Sequence, residues 1–306
     1  MIEKDLENGG ASPLDIFEGE EVWTEEGPCL CVRGRERIDL GKVNSDKASD
    51  LICSELRLLS GVGRERERRL REMGYTTLDK LLDYPPLLRQ AGDVLNLIKE
   101  RRRDDLLSLA YRFFPKSHPL VFLLCMLGGL EGLLFLDIET MGVSSRPIIV
   151  VGISRIHGEE ICWEQYVARQ ITEERAVLLS FLSHVRKGHV LVTFNGSSFD
   201  IPYLRERLSF HRLVHGIENA HLDLFLFSRR WLRDRLGELS LKNIERHILG
   251  RRRGLDVPSH LVPALYKTYL RTDKVDALLA IIRHNRHDLA ALFSLLLFFC
   301  TRLGLC

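Results

Sequence analysis

Features that would announce a function by composition are scarce in this sequence. Net charge is nearly absent: 44 Lys and Arg against 42 Asp and Glu leave +2 over 306 residues, so no global basic field marks a nucleic-acid binder. Cysteine is sparse and odd in number, seven residues with no repeated pairing pattern, which argues against a disulfide scaffold and for a reducing cytoplasm. Cys29 and Cys31 form a lone Cys-x-Cys without a second pair, so structural zinc is not expected. Long apolar runs are missing too. Leu120–Leu127 and Leu289–Cys300 are too short or too interrupted to span a bilayer. The opening Met-Ile-Glu-Lys-Asp is charged and lacks the apolar centre of a signal peptide. The expectation is a cytoplasmic protein whose 45% hydrophobic content supports one large domain and a small one.

What is present is a set of acids in telling places. Leu-Leu-Phe-Leu-Asp-Ile-Glu-Thr (133–140) reads as a strand, and its Asp137 and Glu139 project to the same side because strand side chains alternate. Like charges that close repel unless a cation sits between them. In Val-Thr-Phe-Asn-Gly-Ser-Ser-Phe-Asp-Ile-Pro-Tyr-Leu (192–204), a short buried strand breaks at Asn195 and Gly196. A helix then starts near Phe199, which puts Asp200 on a first helical turn just beyond a strand end, where open α/β sheets gather their sites. In Ile-Ile-Arg-His-Asn-Arg-His-Asp-Leu-Ala-Ala-Leu (281–292), His284 and Asp288 are four apart and share a helical face. Asp288 lies where an apolar helix begins to pack, an odd place for an unpaired charge.

These acids, in this order, resemble the DEDD superfamily of 3′–5′ exonucleases, which has a ribonuclease H-like fold. The resemblance covers about residues 130–300. Asn-Gly-Ser-Ser-Phe-Asp is similar to the second exonuclease motif of proofreading domains in family B DNA polymerases. The chain is also similar to the YprB-like ribonuclease H-like family, whose members carry a strand-like segment before the core and a Ser-Arg-Arg stretch before the last motif, here Ser228, Arg229 and Arg230. One departure concerns the base. The two main branches place Tyr four residues before the last Asp or His five before it, whereas here His284 is four before and Arg283 five before. His284 is the first candidate for the general base and His287 the second.

The resemblance implies a two-metal-ion hydrolysis of phosphodiesters. Asp137 would bridge two ions, Glu139 and Asp288 would complete one site, and Asp200 would hold the other ion. All-carboxylate ligands suit Mg²⁺ or Mn²⁺, and two such ions about 3.5–4 Å apart serve attacking and leaving oxygens. Imidazole titrates near neutral pH, so His284 can take the water proton. Asn195 and Phe199 are candidate nucleic-acid contacts, with Phe199 either wedging against terminal bases or packing the strand–helix junction.

Along the chain, residues 1–50 read as a polar extension with a possible hairpin pairing Glu21–Thr24 with Cys29–Val32, and residues 42–50 read as a linker. Residues 51–115 read as helical. There, apolar-x-Gly-apolar-Gly at 59–63 resembles the helix-hairpin-helix of DNA-repair and recombination proteins, with Gly61 and Gly63 freeing N–H groups for a phosphate. The stretch 99–105 reads as an exposed charged helix face. Residues 120–306 read as the nuclease domain: strands at 133–138, 148–156 and 161–167, helix 173–187, strand 190–194 and helix 199–210. A strand near 221–227, a helix near 239–249 and a long helix 275–302 follow. The strand at 161–167, with Glu164 and Gln165, fits a sheet edge. The whole predicts an α/β fold, a ribonuclease H-like mixed sheet with helices on both faces. Between 225 and 255, nine bases (Arg229, Arg230, Arg233, Arg235, Lys242, Arg246 and Arg251–Arg253) face three acids, a candidate phosphate-binding patch.

The resulting expectation is a metal-dependent 3′–5′ exonuclease on single-stranded or frayed DNA or RNA ends. A structure-selective endonuclease and a non-catalytic nucleic-acid-binding module are the alternatives. No motif identifies a reader of the 2′-hydroxyl, so DNA and RNA stay open.

Overall fold

The computed structural model describes residues 19–38, 43–213, 217–254 and 256–306. Its frame is one seven-stranded mixed sheet in the order β1-β2-β5-β4-β3-β6-β7. The strands are β1 (Gly19–Thr24), β2 (Gly27–Arg37), β3 (Leu133–Thr140), β4 (Ile148–His157), β5 (Glu160–Val167), β6 (Val190–Thr193) and β7 (Ala220–Asp223). The first five pair antiparallel along β1-β2-β5-β4-β3, while β3, β6 and β7 run parallel. The mixed α/β sheet with helices on both faces is the ribonuclease H-like arrangement expected from the sequence.

Helices precede and follow the strands. Before the central sheet come α1 (Ser45–Cys53), α2 (Arg64–Glu72), α3 (Leu88–Lys99), α4 (Arg103–Ala110) and α5 (Pro119–Met126). Within and after it come α6 (Glu174–Leu182), α7 (Asp200–Phe210), α8 (Leu224–Trp231), α9 (Arg233–Leu236), α10 (Leu241–His247), α11 (Val262–Thr272) and α12 (Val275–Arg302). One apolar cluster joins α6 and α7 to β3 and β4 through Leu134, Leu136, Val151, Phe181 and Leu204. A larger one runs from Leu56, Leu58 and Phe122 in the N-terminal half to Phe227, Leu292 and Phe299 in the C-terminal half.

Several local expectations need correction. The pairing of Glu21–Thr24 with Cys29–Val32 is present, but β2 continues to Arg37 and pairs with β5 along its length. The segment expected as an edge strand is therefore interior. Glu164 faces Arg33 and Arg155, and Gln165 is fully buried. The strands of the expected 1–50 extension thus lie in the same sheet as those of the expected 120–306 domain. Residues 45–50 form α1 rather than a linker, because Asn44 accepts hydrogen bonds from the Asp46 and Lys47 amides and so satisfies the open end of a helix. The stretch at 99–105 is not a continuous exposed face: Arg103 is buried and donates to the Gly188 carbonyl. The strand near 221–227 stops at Asp223, whose carboxylate caps α8 by accepting from the Phe225 amide. Within the 51–115 stretch read as helical, the segment between α2 and α3 holds a single 3₁₀ turn, Lys80–Asp83. Helix α11 had no counterpart in the sequence reading.

Candidate active site

Strand β3 delivers Asp137 and Glu139, with Glu139 buried. The turn after β6 delivers Asp200. Asn195 there takes a left-handed conformation, φ 64°, which asparagine tolerates better than most residues. Its amide donates to Asp223 at 2.7 Å, and Ser197 donates to the same carboxylate through amide and hydroxyl. The chain then enters α7 with Asp200 as first residue, and the Ile138 amide donates to Asp200 Oδ1 at 3.3 Å. The backbone N–H between the two β3 acids thus pins the third.

Helix α12 brings the rest. His284 and Asp288 share one face, and single ligand atoms of Glu139, His284 and Asp288 all lie within 4.8 Å of one another. Asp137, Glu139, Asp200, His284, Asp288, Asn195 and Phe199 all line one cavity of about 440 Å³. Gly142 and Val143 form part of its rim, and the Tyr203 hydroxyl donates to the Gly142 and Arg146 carbonyls to hold that loop. Arg229, Arg230, Gly61 and Gly63 do not line this cavity. Arg229 and Arg230 are exposed on α8, and Gly63 borders a separate concavity beside Arg64, Arg66 and Arg69.

The electrostatics are those of crowded acids. Burial, then the charges of Asp288, Glu139 and Asp200, raise Asp137 well above the ordinary carboxylate range, against a hydrogen bond from Asn285. Burial and the charges of Asp288, Asp200 and Asp256 raise Glu139 likewise, with Arg253 opposing. Burial pushes Asp200 up to about 7 despite backbone hydrogen bonds that favour its ionised form. With Asp288 beside these three raised acids, the buried cleft presents an all-carboxylate donor set that suits hard divalent cations.

Among the supporting residues of the site, Asn285, Asp256 and Ser259 carried no recognised signal in the sequence, while Gln165 and Arg253 were read in other roles. Asn285 donates to both the Asp137 carbonyl and its Oδ2, and accepts from Gln165 Nε2 at 2.8 Å. Arg253, counted above with the phosphate-binding patch, has a side chain only 5% exposed and is paired with Glu245, Asp256 and Asp288. It is occupied by acids and is not available to a phosphate. Asp256 meets His284 Nδ1 at 2.8 Å, and the Ser259 hydroxyl meets His284 Nε2 at 3.0 Å. Spacing could not reveal the last three, since Arg253 and Asp256 sit on irregular backbone after α10 and Ser259 opens a 3₁₀ turn just before α11.

Known proteins match the same region. A family profile described as the RNase_H superfamily covers residues 134–298. The "Uncharacterized protein YprB" of Bacillus subtilis (strain 168) is 33% identical over 170 residues, 54% of this chain and 41% of that protein. The shared part is thus less than half of that relative's length. Among solved structures, the family B DNA polymerase from the hyperthermophilic archaeon Pyrobaculum calidifontis aligns with a TM-score of 0.42 and 18% identity. That alignment covers 53% of this chain and 24% of the polymerase. The profile spans all three acidic segments and more than half of the sequence, and with the sheet described above this chain belongs to the RNase H superfamily.

Proposed function

We propose that this protein is a metal-dependent nuclease that hydrolyses phosphodiester bonds, acting as a 3′–5′ exonuclease on single-stranded or frayed ends of DNA or RNA. The observation that carries this reading is the convergence of Asp137, Glu139, Asp200, His284 and Asp288 on one cavity. The 3′–5′ polarity rests on the order of the motifs and their resemblance to DEDD exonucleases.

Asp137, Glu139, Asp200 and Asp288 would hold two Mg²⁺ or Mn²⁺ ions, which when bound neutralise the phosphate and favour formation of the attacking hydroxide. The chain's own residues do the rest. His284 Nε2, 3.9 Å from Glu139 and 3.7 Å from Asp288, accepts the water proton. Asn285 holds Asp137 in place. Phe199 and Asn195, on the cavity wall, contact the terminal nucleotide. Arg229 and Arg230, and the Gly61–Gly63 loop, lie outside the cavity and serve phosphates further along the substrate.

The test is incubation of purified protein and Mn²⁺ with 5′-labelled single- and double-stranded DNA and RNA, alongside Asp137→Asn. A ladder descending from the 3′ end, absent with the variant, is expected. Internal cuts would favour a structure-selective endonuclease, and binding without cleavage would favour a non-catalytic nucleic-acid-binding module.

A further inference from the structure

We propose that Asp256 is a positioning residue that fixes the tautomer and orientation of His284, so that the Nε2 lone pair faces the carboxylates. The proposal rests on the nuclease reading above for its consequence, though not for its geometry.

Asp256 Oδ1 lies 2.8 Å from His284 Nδ1, and both side chains are almost fully buried, at 2% and 5% exposure. An ionised carboxylate can only accept, so Nδ1 must carry a proton. The opposite tautomer would set a bare nitrogen lone pair against a carboxylate oxygen with no proton between them. With Nδ1 protonated, Nε2 is the acceptor, and its neighbours are the Ser259 hydroxyl at 3.0 Å, Asp288 at 3.7 Å and Glu139 at 3.9 Å. Ser259 can donate to it. The cavity side of the ring is thereby the proton-accepting side.

The same carboxylate decides between the two imidazoles of this helix. His287 Nδ1 stands 3.6 Å from Asp256 Oδ1, too far for a hydrogen bond. Asp256 is itself held, since its Oδ2 receives Arg253 Nη1 at 3.2 Å and has Lys242 Nζ at 3.6 Å. Arg253 also donates to Asp288 Oδ1. One guanidinium therefore sets the relative positions of the residue that orients the base and of an acid four residues along the helix from it.

The geometry makes an unusual demand on an isosteric substitution. In Asp256→Asn, the atom facing Arg253 must remain an acceptor, because guanidinium only donates. The side-chain NH₂ must then face His284 Nδ1 and donate to it, which forces the proton onto Nε2. Asp256→Ala imposes no tautomer. The conservative variant should therefore be the more damaging one for catalysis, a ranking that a packing role would reverse.

The experiment uses full-length protein with ¹⁵N-labelled histidine, the His284 signal being assigned by its loss in His284→Gln. Long-range ¹H–¹⁵N spectra without substrate should show protonated Nδ1 and bare Nε2 in the wild type, and the reverse in Asp256→Asn. With a single-stranded oligonucleotide and Mn²⁺, Asp256→Asn should lower kcat about 10²–10⁴-fold with KM little changed, as wrong-tautomer substitutions do elsewhere. Asp256→Ala should lose less. Protonated Nε2 in the wild type, or an unchanged tautomer in Asp256→Asn, would overturn the proposal. Equal or reversed ranking of the two variants in kcat would overturn it as well. The expected tautomers in a protein that cleaves no nucleic acid would support the positioning geometry and sink the nuclease reading alone.

Discussion

The side-chain amide of Asn285 donates to the Asp137 carboxylate at 2.8 Å, tying helix α12 to strand β3 one residue from His284. The approach is possible because Asp137, Gly152 and Gln165 lie side by side across β3, β4 and β5. A Cβ on Gly152 would stand 2.0 Å from Asn285 Oδ1. Glycine in the middle of a strand weakens it; here its lack of a side chain admits the amide that orients an acid.

Gly152→Ala is therefore expected to fold with a loss of about 1–3 kcal/mol, the usual cost of forcing a methyl into a packed site. Turnover should fall more than stability implies, by at least about tenfold, because Asp137 loses its donor. Chemical denaturation and oligonucleotide cleavage measure the two effects. Wild-type turnover would mean that Asn285 is not needed to hold Asp137.

Metal binding should be linked to pH with a definite sign. Asp137 and Glu139 are raised, and Asp200 is pushed up to about 7, whereas unfolded carboxylates titrate near about 4. The folded protein therefore holds extra protons between about pH 4 and 7, and its stability falls as pH rises through that window. A cation that binds the ionised carboxylates removes this loss. Mg²⁺ or Mn²⁺ should raise Tm more at about pH 8 than at about pH 5. Equal shifts by calorimetry at both values would argue against the buried carboxylates as the ligands.

The acids were legible in the sequence because strand alternation and the helical repeat place side chains by simple rules. Asp137 with Glu139, and His284 with Asp288, obey those periods. Arg253, Asp256 and Ser259 obey none, since irregular backbone and a single 3₁₀ turn carry them to the site. Charge counting misassigned Arg253 for the same reason: in a run of three arginines, nothing local distinguishes the one that turns inward. Gln165 was read as an edge residue because its partner strand, β2, lies more than a hundred residues earlier. Local alternation cannot report such a pairing.

His284→Ala should slow turnover roughly 10²–10⁴-fold, the usual contribution of a positioned base, while leaving divalent-ion binding in place. His287→Ala should be much milder, because its side chain is 36% exposed and its Nδ1 lies 3.6 Å from Asp256. Single-turnover rates separate the two. The reverse ranking would identify His287 as the base.

Arg253→Met should destabilise the protein by about 3–5 kcal/mol, since removing one partner leaves buried carboxylates uncompensated. Its partners Glu245, Asp256 and Asp288 have side chains only 7%, 2% and 16% exposed. Lysine should not rescue it, because a point charge cannot serve three acids as a planar fork does. Denaturation of both variants would decide, and a near-neutral Arg253→Met would show that solvent or ions already compensate these acids.

A fragment lacking residues 1–115 should not be soluble, even though every residue proposed for catalysis lies beyond residue 130. The deletion removes β1 and β2 and strips β5 of its partner along its full length, which leaves β5 as a long unpaired edge strand. It also removes Leu30, Ile52, Leu56, Leu58 and Leu81, all fully buried. Burying one such side chain contributes roughly 1.5–3 kcal/mol, so losing these partners rivals an entire domain stability of about 5–15 kcal/mol. The Gly188 carbonyl ahead of β6 would lose its donor, Arg103, and the apolar cluster that holds Phe122 would lose Leu56 and Leu58. Size-exclusion chromatography and thermal unfolding of residues 116–306 provide the test. A monodisperse fragment with a cooperative transition would show that β3–β7 and their helices fold alone, and that the N-terminal strands and helices are an accessory layer.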